Sequence, residues 1–155
     1  MSEQPYQPAR GDILVVDDTL VNLRILTEML AAQGYKVRPV TNGPQALQAA
    51  AAAAPDLVLL DINMPGMTGY EVCQQLKAQP ETRDVPVIFM SARDEVLDKI
   101  RAFEVGGVDY VTKPFHLEEL LARVATHVSL RALQRQLEDA RFLAESAAAA
   151  LADEK

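Results

Sequence analysis

The sequence is short of several things that would each announce a kind of protein. One cysteine, Cys73, stands among 155 residues, so an intrachain disulfide and a thiolate metal cluster are both excluded. Its expected place is a small buried position on a helix, where free cysteine is commonly found. Tryptophan is absent and only four Phe and four Tyr are present, so the core has to be built from aliphatic residues and alanine. No apolar run approaches the roughly 20 residues that cross a bilayer. The polar start, Met1 to Arg10 with Pro5 and Pro8, has no apolar stretch of the kind that signal peptides carry. No membrane insertion and a cytoplasmic location are therefore expected. A basic cluster is missing too. The 15 Lys and Arg against 22 Asp and Glu leave a formal charge of −7, so direct nucleic-acid binding is not expected. An acidic balance suits solubility and a site that gathers a divalent cation.

What is present is an alternation. Ile13-Leu14-Val15-Val16 is an unbroken β-branched and aliphatic run ending in Asp17-Asp18, the pattern of a strand buried on both faces. Leu20 to Gln33 carries apolar residues at Leu23, Leu26 and Leu30 and stops at Gly34, which predicts a helix and its C-cap. The spacing then predicts strands over Lys36–Val40, Asp56–Leu60, Pro86–Met90 and Asp109–Thr112. Helices are predicted over Gly43–Ala54, Gly69–Ala78 and Asp94–Val105, and from His116 onward. Five strands alternating with five helices give right-handed crossovers and a parallel sheet covered on both faces, with any ligand site outside the carboxyl ends of the strands.

Those ends hold Asp17 and Asp18 after the first strand, Asp61 after the third, Ser91 after the fourth and Lys113 after the fifth. Each alone has an ordinary explanation. An Asp pair caps a helix, Asp61 before Met64-Pro65-Gly66 opens a turn, Ser91 caps the fourth helix, and Lys113 is a solvated lysine. Together they are harder to explain that way. Parallel strands lie about 4.8 Å apart, so the three carboxylates converge and repel one another unless a cation or a proton relieves them. An oxygen-ligated divalent ion fits, and magnesium characteristically takes one or two carboxylates, waters and a phosphate oxygen. A hydroxyl and a lysine alongside supply donors for an anion, as phosphoryl transfer to an exposed aspartate requires.

Asp17-Asp18, the stretch Asp61-Ile62-Asn63-Met64-Pro65-Gly66-Met67-Thr68-Gly69, Ser91-Ala92 and Tyr110-Val111-Thr112-Lys113-Pro114-Phe115 resemble the receiver domains of bacterial response regulators. The resemblance runs from about Asp12 to about Val128, in the family's order and spacing. It implies a flavodoxin-like doubly wound (βα)5 fold with strand order 2-1-3-4-5. It further implies that Asp61 takes a phosphoryl group from a phosphohistidine on a sensor histidine kinase or phosphotransfer protein. Mg²⁺ would be held by Asp18 directly, by Asp17 through water, and by Asp61 and the backbone carbonyl of Asn63. Lys113 would pair with the phosphoryl oxygens across a cis Lys113-Pro114 bond. Ser91 and Tyr110 would act as switch residues that change the face formed by helix four, strand five and helix five. Asn63 and Arg93 occupy the positions that tune dephosphorylation in the family. His116 and His127 match none of its motifs and are expected to be helix-surface or packing residues.

The chain is thus divided into a flexible segment over residues 1–11, a receiver over 12–128 and a helical extension over 129–155. In the extension Leu130, Leu133, Leu137, Ala140, Ala144, Ala147 and Leu151 recur at alternating gaps of three and four. This is an a/d seam over about three heptads, near the minimum for a coiled coil. A homodimer through this helix or through the helix 4–strand 5–helix 5 face is expected. Two other functions compete. A pseudo-receiver serving only as a binding module would have no need of all five of Asp17, Asp18, Asp61, Ser91 and Lys113. An aspartyl-phosphate phosphohydrolase resembling the haloacid-dehalogenase class would place a second Asp two residues after its nucleophile, where this chain has Thr19. A phosphoacceptor rather than a turnover enzyme is the expectation.

Overall fold

The computed structural model describes residues 10–92 and 96–153. The first nine residues of the expected N-terminal segment, Arg93 and the expected helix start at Asp94 lie outside the described residues. Strands β1 (Asp12–Val16), β2 (Lys36–Val40), β3 (Leu57–Asp61), β4 (Val87–Ser91) and β5 (Asp109–Thr112) form one parallel sheet in the order β2-β1-β3-β4-β5. Helices α1 (Leu20–Ala32), α2 (Gly43–Ala52), α3 (Gly69–Ala78), α4 (Val96–Glu104) and α5 (Leu117–Asp153) connect and follow them. This is the flavodoxin-like doubly wound architecture implied by the motifs.

The period of two along each strand sorts the side chains into two cores. Leu14, Val16, Val58, Leu60, Phe89 and Tyr110 face α2, α3 and α4, where they meet Ala46, Ala50, Val72, Cys73, Leu76 and Ala102. Ile13, Val15, Leu57, Leu59, Ile88, Met90 and Val111 face α1 and α5, where they meet Leu23, Leu26, Leu30, Leu120, Val124 and Val128. Fully burying an aliphatic side chain stabilises by about 1.5–3 kcal/mol, so the three central strands carry much of the driving force. β2 is an edge strand, half exposed, and it tolerates Pro39.

Helix ends explain where the strands emerge. α1 closes with Gly34 at φ +92°, Gly34 N–H donating to Ala31 O and Tyr35 N–H to Leu30 O. That is a Schellman closure, and the buried Tyr35 and Leu30 belong to the same core. α2 is capped by Asn42 and α3 by Thr68, whose side chains accept from Gln45 N–H and Glu71 N–H.

The boundaries differ from the sequence reading by one or two residues, each with a local cause. Asp56 was expected to open β3, but its carboxylate accepts the Asp12 N–H at 2.7 Å and it stays outside the ladder. Ser91 was expected just after β4. It is instead the last residue of β4, and its carbonyl accepts the Lys113 N–H at 2.8 Å. α2 stops at Ala52 because Ala53 is already extended. α5 runs unbroken for 37 residues, and from residue 136 to 152 every residue is exposed. No helix among the described residues is long and apolar enough to cross a membrane.

Candidate functional site

The carboxyl ends of β1, β3, β4 and β5 bring together the residues that the sequence singled out. Asp17 follows the last residue of β1 and is fully buried, with its Oδ1 accepting the Thr19 N–H at 2.9 Å. Asp18 beside it is exposed. Asp61 ends β3, is 4% exposed, and takes the Asn63 N–H on Oδ1 at 3.3 Å. Carboxylate oxygens of Asp17, Asp18 and Asp61 all lie within 4.8 Å of one another. Lys113, two strands along from Asp61, reaches into the cluster from the end of β5. Its Nζ lies 2.9 Å from Asp17 Oδ2 and 3.5 Å from Asp61 Oδ2. The Lys113-Pro114 peptide bond is cis, as expected.

Among the described residues Lys113 is the one cation beside these three carboxylates. The Asp61 carboxyl is raised from 3.8 to about 7. Burial is the largest cause, and the charges of Asp17 and Asp18 add to it. Lys113 and the Asn63 N–H act in the opposite sense and do not overcome it. The donor set fits a hard divalent ion such as Mg²⁺: every candidate ligand is oxygen, and the negative charge is locally uncompensated. The exposed side of the cluster, at Asp18, is open to a hydrated ion.

Ser91 is 1% exposed, and its Oγ accepts from Asn63 Nδ2 at 3.3 Å. The hydroxyl is thereby tied to the residue whose carbonyl the sequence reading assigned to the metal. Tyr110 is 7% exposed with its ring in the α2–α3–α4 core, and Lys99 Nζ lies 5.8 Å from the ring centre. Cys73 is buried as expected, its Sγ 3.4 Å from Val105 O. Burial pushes its thiol up to about 11, which keeps it out of thiolate chemistry.

Two features escaped the sequence reading. A Cβ at Gly69 would stand 2.3 Å from the Asp61 carbonyl oxygen, so only glycine lets α3 begin against the end of β3. The one available signal was its place eight residues after Asp61. His127 was expected on the surface or in packing. Its Nε2 instead lies 3.1 Å from Asp109 Oδ2, and Arg123 pairs with the other oxygen of that carboxylate. The i, i+4 spacing of Arg123 and His127 was visible, but their common partner on β5 was not.

The fold and this carboxylate–lysine cluster define a doubly wound α/β protein with its chemistry at the carboxyl ends of the strands. Comparison with known proteins makes the class specific. The family model for the response regulator receiver domain matches residues 13–125, and the chain belongs to that family. It is 46% identical over 112 residues to the response regulator PleD of Caulobacter vibrioides, covering 72% of this chain and 25% of that protein. It is 44% identical over 115 residues to the Bacillus subtilis transcriptional regulatory protein YkoG, covering 74% and 50%. The chain thus spans a quarter to a half of these curated relatives. Among solved structures, it superposes on a response regulator from Chloroflexus aurantiacus with a TM-score of 0.75 and 33% identity, over 79% of this chain and 99% of that one. The receiver domain of a Pseudomonas aeruginosa sensor histidine kinase, which holds a magnesium ion in its active-site cleft, gives a TM-score of 0.72 and 32% identity over 77% and 98%.

Proposed function

We propose that Asp61 accepts a phosphoryl group from a phosphohistidine of a sensor histidine kinase or phosphotransfer protein, and that the resulting charge switches the α4–β5–α5 face. The observation that carries this reading is the convergence of Asp17, Asp18 and Asp61 within 4.8 Å, with Lys113 reaching both buried carboxylates. An Asp61 carboxylate oxygen attacks phosphorus, the P–N bond to imidazole breaks, and the imidazole leaves with the electron pair. Lys113 moves its charge from the carboxylates to the phosphoryl oxygens, and the Ser91 hydroxyl donates to one of them. Asp18 and Asp61, with the Asn63 carbonyl and with Asp17 through water, would hold Mg²⁺. The ion supplies charge neutralisation and lowers the proton affinity of Asp61 when bound.

Phosphorylation adds about −1.5 to −2 charge. Asn63 already joins the carboxylate loop to Ser91, so the new charge acts first on that bond and then on the β4 end that it restrains. Tyr110, one strand along in the same core, is the aromatic through which α4 would be repositioned. Leu20, Val21 and Ile25 of α1 are exposed beside the site, an apolar surface for the phosphoryl donor. In this reading the chain is a cytoplasmic relay rather than a turnover enzyme, though it assists its own phosphorylation and dephosphorylation. It binds no nucleic acid itself and associates with a second copy through the α5 extension or the α4–β5–α5 face.

Intact mass after incubation with acetyl phosphate and Mg²⁺ tests the chemistry. One phosphoryl group is expected on the native chain, and none on Asp61→Asn or without the metal. A folded native chain that gains no adduct, and that also binds no fluoride analogue of the phosphoryl group, would overturn the proposal.

A further inference from the structure

We infer that the part of α5 beyond the receiver body pairs with the same segment of a second copy of this chain. The pair is a parallel, in-register, two-stranded coiled coil with its seam on the side of α5 facing away from the body. This deepens the association named above, and stands or falls separately from the phosphoryl chemistry.

The structure supplies the phase that sequence spacing alone lacks. Leu120, Val124 and Val128 are buried on the body side of α5. Further along, Arg135 Nη1 reaches Asp56 Oδ1 at 2.6 Å, which marks the body side at that point of the helix. At 100° per residue, Leu133 and Leu137 stand about 160° away from Arg135, nearly diametrically opposite. Leu130, Leu133, Leu137 and Leu151 are all exposed, at 54%, 55%, 71% and 67%. In heptad terms Arg135 is an f position; Leu130 and Gln134 border a cavity shared with Lys77, Asp84 and Pro86 of the body, and from Leu133 onward a partner helix occupies the side of α5 opposite the body.

The charge pattern selects the occupant. With Leu130, Leu137 and Leu151 at a and Leu133 at d, the acidic residues Glu138, Asp139, Glu145 and Asp153 all fall at b and c. The flanking e and g positions carry Gln134, Gln136, Arg141 and Leu143. A seam meant for a different partner would be expected to show flanking charges of one sign for the partner to match. Here the single flanking charge, Arg141, faces Gln136 of a parallel copy, so nothing repels an identical chain in spite of the acidic net charge. The segment is self-complementary about a twofold axis. About 27 Å of helix beyond Arg135, exposed on every side, is marginal alone and gains most from such a partner. Ala140, Ala144 and Ala147 contribute little burial, so the affinity resides mainly in Leu130, Leu133 and Leu137.

Sedimentation equilibrium of the whole chain tests this. The native chain is expected to be dimeric at tens of micromolar, with Leu133→Glu/Leu137→Glu monomeric and Phe142→Ala, on the side away from the seam, still dimeric. A cysteine scan on Cys73→Ala reads the geometry. Leu137→Cys is expected to oxidise to an interchain disulfide, as equivalent a positions do in a parallel pair, and Asp139→Cys at c is not. Unchanged acetyl-phosphate labelling of the Leu133→Glu/Leu137→Glu chain shows that the receiver remains folded, so a loss of dimer reads the seam alone. A monomeric native chain, a dimer that survives both glutamates, or cross-linking at Asp139→Cys in preference to Leu137→Cys would overturn the inference.

Discussion

The two ends of the sheet handle acidic residues in opposite ways. At the amino ends of the strands each aspartate has a basic partner. Asp12 pairs with Arg38, Asp56 with Arg135, and Asp109 with Arg123 and His127. Several of these bonds also fasten backbone, since Arg38 donates to the last carbonyls around α2 at Ala49 and Ala53. At the carboxyl ends Asp17, Asp18 and Asp61 converge, and a single lysine, Lys113, reaches Asp17 and Asp61 among the described residues. Matched charge ties elements together, and unmatched charge is held in readiness for something from solution. The contrast separates aspartates that tie elements together from those that the proposed phosphoryl chemistry would use.

The largest effects are expected where the unmatched end is disturbed further. Lys113→Ala leaves Asp17 and Asp61 buried with no cation, and breaking a buried pair from one side costs about 3–5 kcal/mol. Denaturant unfolding without metal should show that loss at pH 8 and a smaller one at pH 5, where Asp61 is protonated. Mg²⁺ should restore part of it, and equal losses at both pH values would break the contrast between the two ends.

Asp61→Asn should act with the opposite sign. Because its carboxyl is raised from 3.8 to about 7 in the folded protein, the folded state binds more protons than the unfolded one between those values. Stability therefore falls as pH rises through that window. Removing the charge should stabilise the metal-free protein by up to about 4 kcal/mol above pH 8 and have little effect near pH 4. Thermal unfolding across that range checks it. The same shift predicts that phosphoryl uptake at limiting Mg²⁺ declines as pH falls below about 7, because the protonated carboxyl is no nucleophile. Next in size is Gly69→Ala, which drives a methyl group into the Asp61 carbonyl and should cost about 1–3 kcal/mol, with weaker Mg²⁺ binding read by titration.

The sheet was legible because the strand residues of both cores are continuous apolar runs, and the strand-end residues were legible because parallel topology must gather them. What stayed hidden were partners distant in sequence. Asp56 reads as the first residue of a strand until Asp12 and Arg135 are seen to meet on it, 44 and 79 residues away. Lys113 was placed at the site by its strand end and its motif, but its 96-residue contact with Asp17 came into view only with the fold. Gly69 gave no hint that an alanine would collide with a carbonyl eight residues earlier. Local periodicity carries secondary structure and topology, whereas charge matching is a property of the folded chain.

The smallest effect should come from the matched end. Arg135 and Asp56 are partly exposed, at 42% and 26% of their side chains, so their attraction is screened by water and salt. Arg135→Gln should cost only about 0.5 kcal/mol in denaturant unfolding, and less in high salt. Its local consequence should be larger than its global one, because Arg135 is the outermost point at which α5 is held to the body among the described residues. Hydrogen exchange is expected to quicken from about residue 131 onward while β1, β3 and β4 keep their protection. If the body loosened as well, Asp56 would be coupling the helix to β3, which carries Asp61 at its other end, and the matched end of the sheet could no longer be regarded as purely structural.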